Sequence, residues 1–189
     1  MTQSARPRRP SDAALLFDEM LVVLAQSGDR TALERLFRRW NPRLVRAARR
    51  YCGNEEGALD LAQECWIAIV KQLNALREPA RFRSFAFAVL HRRGADYLRK
   101  AYRDRDAMAQ QEAVPAHTGA PSERVAINQA FASLPADQRL AAHLHFVEGL
   151  TLAEIAQVQS IPEGTAKSRL FHARRKLKAA LTDDEKGEM

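Results

Sequence analysis

The 189-residue chain has only two cysteines, Cys52 and Cys65. Two are too few for a disulfide framework, and neither sits in a CxxC or Cys/His spacing that would hold zinc. Both read as thiols of a reducing compartment. Glycine and proline are scarce, eight of each, and fall mostly at the ends of periodic segments. No run alternates apolar and polar residues as a half-buried strand does. No apolar run approaches the ~20 residues of a membrane span, and no apolar segment follows Arg6, Arg8 and Arg9 to complete a secretory signal. A cytoplasmic protein with no membrane insertion is expected. Catalytic signatures are missing as well. There is no phosphate-cradling glycine loop, no Ser/His/Asp set and no metal spacing, and His143 and His145, two apart on a helix, point to different faces. Neither a catalytic residue nor a cofactor is expected.

What is present is positive charge. Lys and Arg number 30 against 23 Asp and Glu, a formal net charge of +7. A surplus of this size points to a polyanionic partner, nucleic acid before anionic membrane.

Helical periodicity runs through nearly the whole chain. The expected fold is all-α, two small helical domains joined by a flexible linker. A helix from about Asp12 to Gln26 has Ser11 as its N-cap. Thr31-Ala-Leu-Glu34 reads as a capping box opening a helix to about Tyr51, which Pro42 should kink or split. Helices over about Glu56–Leu76 and Phe82–Tyr102 follow. Residues 104–122 are poor in large apolar side chains and contain two prolines, the composition of a linker. The second set covers about Glu123–Ala132, Pro135–Glu148, Leu152–Gln157 and Pro162–Leu181. The expected organisation is an arm (1–11), a first domain (12–103), the linker (104–122), a second domain (123–181) and a polar tail (182–189).

The most informative stretch is Thr151–Leu181. Thr151-Leu-Ala-Glu154 is a capping box opening a short helix, with Gly149 placed for the left-handed end of the preceding one. Pro162 suits the first turn of the next helix. Short helix, tight turn and long helix make a helix-turn-helix. Ala166, Leu170, Ala173, Leu177 and Leu181 form the buried stripe of the long helix. Lys167, Ser168, Phe171, His172, Arg174, Arg175 and Lys178 lie around the rest. Early residues of a recognition helix reach base edges, and flanking cations meet phosphates. Lys167, Ser168 and Phe171 are therefore base-edge candidates, and Arg174, Arg175 and Lys178 phosphate clamps. A merely solvated basic helix is the alternative.

In the first half, Asp60, Gln63 and Glu64 fall at i, i+3 and i+4. They read equally as a partner-binding patch and as ordinary helix N-terminal chemistry. The arginines at 35, 38, 39, 43, 46, 49 and 50 are mostly accounted for by a solvated face. Phe82–Tyr102 interleaves rings and cations, which suits single-stranded DNA, although Phe85, Val89 and Phe82 also fit a core.

These segments carry a resemblance. Leu150-Thr-Leu-Ala-Glu-Ile-Ala156, Ile161-Pro-Glu-Gly-Thr165, Lys167-Ser-Arg-Leu170 and Ala173-Arg-Arg175, entered through Leu134-Pro135 with Gln138-Arg139, resemble region 4 of extracytoplasmic-function sigma factors. Ala32-Leu-Glu-Arg-Leu-Phe37, Pro42-Arg-Leu44, Asp60-Leu-Ala-Gln-Glu64, Phe82-Arg-Ser-Phe85 and Asp96-Tyr-Leu-Arg99 resemble region 2, in order and spacing. Together they span about residues 30–103 and 123–181. The resemblance implies a non-catalytic factor that binds core RNA polymerase (β′ clamp and β flap) and recognises −35 and −10 promoter DNA, under an anti-sigma factor. It implies Asp60, Gln63 and Glu64 as polymerase contacts. It implies Leu76, Arg77, Phe87, Arg92 and Arg99 as −10 contacts, and Lys167, Ser168, Arg169, Phe171, Arg174, Arg175 and Lys178 as −35 contacts. Phe85 stands where the family usually has Trp, and Arg92 where Asn is common, which bears on the −10 preference. Two other readings are a sigma-like decoy that titrates an anti-sigma factor, and a conventional helix-turn-helix regulator. The intact basic recognition helix disfavours the first, and the features of the first half disfavour the second.

Overall fold

A computed structural model describes residues 12–107, 130–131 and 133–184. The described residues are helical, without a strand, and fall into two compact units. The expected arm, Ser11 as N-cap, most of the expected linker, nearly all of the 123–132 helix and the end of the tail lie outside these residues. No helix among them is long and apolar enough to cross a membrane.

The first unit contains α1 (Asp12–Gln26), α2 (Arg30–Cys52), α3 (Glu55–Gln72) and α4 (Phe82–Ala107), with 3-10 turns at Leu73–Ala75 and Pro79–Arg81. The start of α2 differs from the expected capping box. Asp29 is the N-cap, its Oδ1 accepting from the amides of Thr31 (2.8 Å) and Ala32 (3.1 Å). Glu34, placed to reach back, instead pairs with Arg38 at 2.6 Å. A carboxylate at the N-cap satisfies two otherwise orphaned amides and meets the positive end of the helix dipole, so it prevails over the hydroxyl two residues later.

Pro42 does not split α2, which runs through it unbroken. Proline removes one helical donor, the partner of the Arg38 carbonyl. Pro42 is exposed, so that carbonyl lies on the side where water can serve it. The opposite face buries Ala32, Leu36, Trp40, Leu44, Ala47 and Ala48, and that burial holds the helix together across the defect. Trp40 centres the core, edge-on to Phe82 (5.2 Å between centroids) and Phe87 (6.0 Å).

Two tertiary ties fix the unit. The Gln26 side-chain amide donates to the carbonyls of Leu73 and Leu76, both at 2.8 Å, binding the end of α1 to the turn after α3. Deeper in, α4 lies against the Tyr51 ring at Gly94. A Cβ there would come within 2.5–2.6 Å of three ring carbons, so only glycine permits the approach. The Tyr51 hydroxyl meets His91 Nδ1 at 3.1 Å, and burial raises the Tyr51 pKa well above that of a free phenol. Helix α4 continues to Ala107, past the expected end near Tyr102.

The second unit comprises α5 (Ala136–Ala142), a π turn (His143–Val147), most of α6 (Leu152–Gln159) and α7 (Glu163–Asp184). Leu134, Ala142 and Ala173 form its centre, with Phe131, Phe146 and Leu177 packed around them. Of the expected stripe on α7, Ala166 and Ala173 are fully buried, and Leu170 and Leu177 are half-buried. The helix expected to continue to Glu148 widens after Ala142. Glu148 N–H donates to the His143 carbonyl, five residues back, at 3.1 Å. The wider turn brings both buried side chains inward, with His143 Nε2 3.6 Å from Glu148 Oε1. Gly149 then takes φ 71°, as expected at that helix end.

Candidate functional site

The helix-turn-helix is built by short-range chemistry. Thr151 and Glu154 form the expected reciprocal box. Glu154 Oε2 accepts from Thr151 N–H at 2.8 Å, and Thr151 Oγ1 accepts from Glu154 N–H at 3.3 Å. After α6 the chain turns at Ser160, whose φ of 53° lies in the left-handed region. The Pro162 carbonyl then accepts from the Thr165 and Ala166 amides, starting α7. Ile155 and Ala156 are buried beneath the turn.

With Ala166 and Ala173 facing inward, α7 presents Lys167, Ser168, Phe171, His172, Arg174, Arg175 and Lys178 to solvent. Phe171 is 62% exposed, edge-on to His172 at 5.6 Å. Burying such a ring against another molecule would remove apolar surface from water. Ser168 Oγ donates to the Thr165 carbonyl at 3.0 Å. Its proton is thereby engaged, and its lone pairs face outward as acceptors. Arg169 differs from the others. It is partly buried and bound to Asp137 of α5 at 2.8 Å. This pair braces α7 against α5.

On α3 the three polymerase candidates are exposed, but they do not share one surface. Asp60 and Glu64 line a polar cleft of about 520 Å³ opposite Arg93, Asp96, Tyr97, Lys100 and Arg103 of α4. Gln63 lies over the ridge. It joins an apolar groove of about 830 Å³ between α2 and α3, lined by Leu33, Phe37, Leu59, Trp66, Ile67 and Val70. Phe37, Leu59, Ile67 and Val70 are each more than two-fifths exposed. The i, i+3, i+4 spacing puts the three on one side of the helix. Neighbouring helices on both flanks then divide them. Helical spacing alone does not disclose the groove or the cations facing Asp60 and Glu64.

The −10 candidates separate further. Arg77 and Arg92 are exposed. Arg99 is exposed and paired with Asp96 one turn earlier. Leu76 is half-buried, its carbonyl held by Gln26. Phe87 is 2% exposed and packed on Trp40. Its ring belongs to the core and cannot meet a base without unpacking it. Phe82 is buried likewise, so these two rings of α4 are not presented to solvent. The cations Arg92, Arg93, Arg99, Lys100 and Arg103 form its exposed face.

The two cysteines are part of the packing. Burial pushes the Cys65 thiol up to about 12, partly opposed by nearby Arg93. Burial also raises Cys52, opposed by a hydrogen bond with Tyr97. Among the described residues no group of three His, Cys, Asp or Glu could hold a metal ion.

Comparison with known proteins agrees with both halves. Residues 36–104 match the family described as sigma-70 region 2, and residues 124–177 that described as sigma-70, region 4. The ECF RNA polymerase sigma factor SigM of Mycobacterium tuberculosis strain Erdman is 30% identical over 162 residues, covering 85% of this chain and 83% of that protein. The ECF RNA polymerase sigma-E factor of Escherichia coli is 28% identical over 176 residues, covering 84% and 91%. Among solved structures, CnrH in complex with the cytosolic domain of CnrY superposes with TM-score 0.63 at 26% identity, covering 89% of this chain and 99% of CnrH. The sigma factor RpoE from Bartonella quintana, solved with the anti-sigma factor NepR, has the same fold at TM-score 0.67 and 23% identity, covering 79% and 96%.

Proposed function

The chain belongs to the extracytoplasmic-function RNA polymerase sigma factors, and from that premise we propose how its surfaces divide the work of starting transcription at particular promoters. The observation that carries the assignment of surfaces is α7. Its base-reading and phosphate-binding side chains stand in solvent, while Ala166 and Ala173 hold it in place from beneath.

Helix α7 enters the major groove of the −35 element. Lys167 donates to base acceptors, Ser168 accepts from base amino groups, and Phe171 packs on a thymine methyl or a sugar. Arg174, Arg175 and Lys178 neutralise flanking phosphates. Arg169 acts through Asp137 by fixing the angle of the helix. In the first unit, Asp60 and Glu64 contact core polymerase on the α4 flank of α3, and Gln63 on its α2 flank. Arg77, Arg92 and Arg99 meet the −10 strand, largely through its backbone. Phe87 supports that surface from within. The protein is a regulatory initiation factor with no reaction of its own, working in the cytoplasm beside its polymerase. It is held inactive by an anti-sigma factor. Support for this comes from family membership and from its likeness to CnrH, which is solved with a partner's cytosolic domain.

The deciding experiment is transcription in vitro with core polymerase on genomic fragments, with start sites mapped. Discrete starts that require this chain are expected. Reversing charge at Asp60 and Glu64 should abolish those starts and weaken binding to β′ without altering helicity. Unchanged β′ binding would refute the α3 assignment. Absence of any start would favour a decoy.

A further inference from the structure

The structure sorts the arginines of α2 into two groups. Arg39 is held by Asp18 at 2.7 Å, Arg43 lies over the Trp40 ring at 4.2 Å, and Arg50 is half-buried. These brace the helix. Arg35, Arg38, Arg46 and Arg49 are exposed and follow one another along the outer side, opposite the Trp40 face. Arg38 and Arg49 each have a carboxylate partner, Glu34 and Glu55, both at 2.6 Å. Arg35 and Arg46 have none among the described residues. From Arg35 to Arg49 the row covers about 21 Å at 1.5 Å rise per residue.

We propose that this outer row is a sequence-independent track for the phosphates of double-stranded DNA, a contact additional to base reading. It rests on the reading of the chain as a promoter-binding factor. Duplex DNA carries one charge per ~1.7 Å of axis, so a row of that length runs beside roughly a dozen phosphates on the two strands. All four cations are arginines, whose planar forks bind phosphate oxygens in pairs. The row also lacks what a protein partner needs. Protein interfaces have an apolar, desolvated centre, and Pro42 is the one uncharged side chain in the middle of this row. The exposed apolar side chains of α2–α3 lie instead in the groove around Phe37. Ionic, hydrated contact with a polyanion fits the row, and dry contact with a protein does not.

The test uses the full chain and a short fluorescein-labelled duplex of arbitrary sequence, with anisotropy followed through a KCl titration. Arg35→Gln with Arg46→Gln should flatten the slope of log K against log salt by about 1.8, or 0.9 per lost phosphate contact. The paired lysine variants should keep the slope, and circular dichroism should show unchanged helix content. An unchanged slope in the glutamine pair would overturn the proposal and leave a solvated face. So would an unchanged slope with weakened binding to core polymerase, which would assign the row to an acidic surface of the enzyme. The assay needs neither polymerase nor promoter. A flattened slope in a chain that starts no transcription would support the track and refute the promoter function.

Discussion

Gly94→Ala tests how tightly α4 is set against α2. The added Cβ would lie 2.5 Å from Tyr51 Cδ1 and 2.6 Å from Cε1 and Cγ. Ordinary carbon contacts need ~3.5–4 Å, so ring and helix must separate by about 1 Å. Cγ sits at the root of the side chain, and the hydroxyl end is held by His91, so the ring cannot simply swing aside. Overpacking of this kind costs about 1–3 kcal/mol, here toward the upper end. Alanine in a helix interior returns about 1 kcal/mol over glycine. A net loss of about 1–2 kcal/mol is expected, equivalent to about 5–10 °C in the melting of a unit of this size. Both tryptophans of the chain, Trp40 and Trp66, lie in this unit, so tryptophan emission during thermal or urea unfolding reports on it selectively. The sharper measurement is a cycle with Tyr51→Ala. With the ring gone, the clash disappears and the helix preference remains, so Gly94→Ala should change sign and stabilise by up to about 1 kcal/mol. If Gly94→Ala stabilises the parent chain as much as the Tyr51→Ala variant, the Tyr51 ring does not lie against Gly94.

Three further outcomes follow from particular groups. Asp29→Ala should cost about 1 kcal/mol in the same fluorescence assay and Thr31→Ala only a few tenths; equal costs would restore Thr31 as the cap. The Cys65 thiol is raised from 9.0 to about 12 in the folded protein. The unfolded chain therefore releases that proton first, and the stability the buried thiol contributes is intact below pH 9 and lost progressively toward pH 12. Cys65→Ala should remove that part of the alkaline loss in denaturant midpoints measured across this range, and an unaltered alkaline limb would contradict it. On α7, Ser168→Ala or Phe171→Ala should change which −35 variants are transcribed, by about 1–3 kcal/mol at the bases concerned. Arg175→Ala should weaken all of them alike and lower the salt slope by about one phosphate contact. The reverse pattern would mean that α7 docks in another orientation.

How far the sequence could be read depended on the range of the interaction. The Thr151–Glu154 box is complete within four residues, and it formed as its spacing says. The box at Thr31–Glu34 has the same spacing but lost to Asp29, a stronger acceptor just outside the pattern. Pro42 signals in sequence only a missing donor. Whether that breaks a helix depends on what the other face buries, and Trp40, Leu36 and Leu44 bury enough to carry it through. Contacts between distant segments left no local trace. Nothing in the sequence around Gly94 marks it as the seat of the Tyr51 ring, forty-three positions earlier, and nothing places Asp137 against Arg169.

The site shows the same division most clearly in two phenylalanines. Phe87 and Phe171 both stand among arginines on basic helices, and on composition both qualify as rings for DNA. On α4 the stretch Phe82–Leu90 is apolar on more than one side, so periodicity does not say which ring turns inward, and the choice falls to Trp40, a residue of another helix. On α7 small side chains at 166 and 173 define the inward side without ambiguity, because alanines let the helix pack close. Phe171 is then forced outward, edge-on to the adjacent His172. Orientation that follows from a helix's own stripe can be read from sequence. Orientation decided by a neighbour cannot, and for that reason the exposed face of α7 was legible apart from Arg169, while α4 was legible only as a helix.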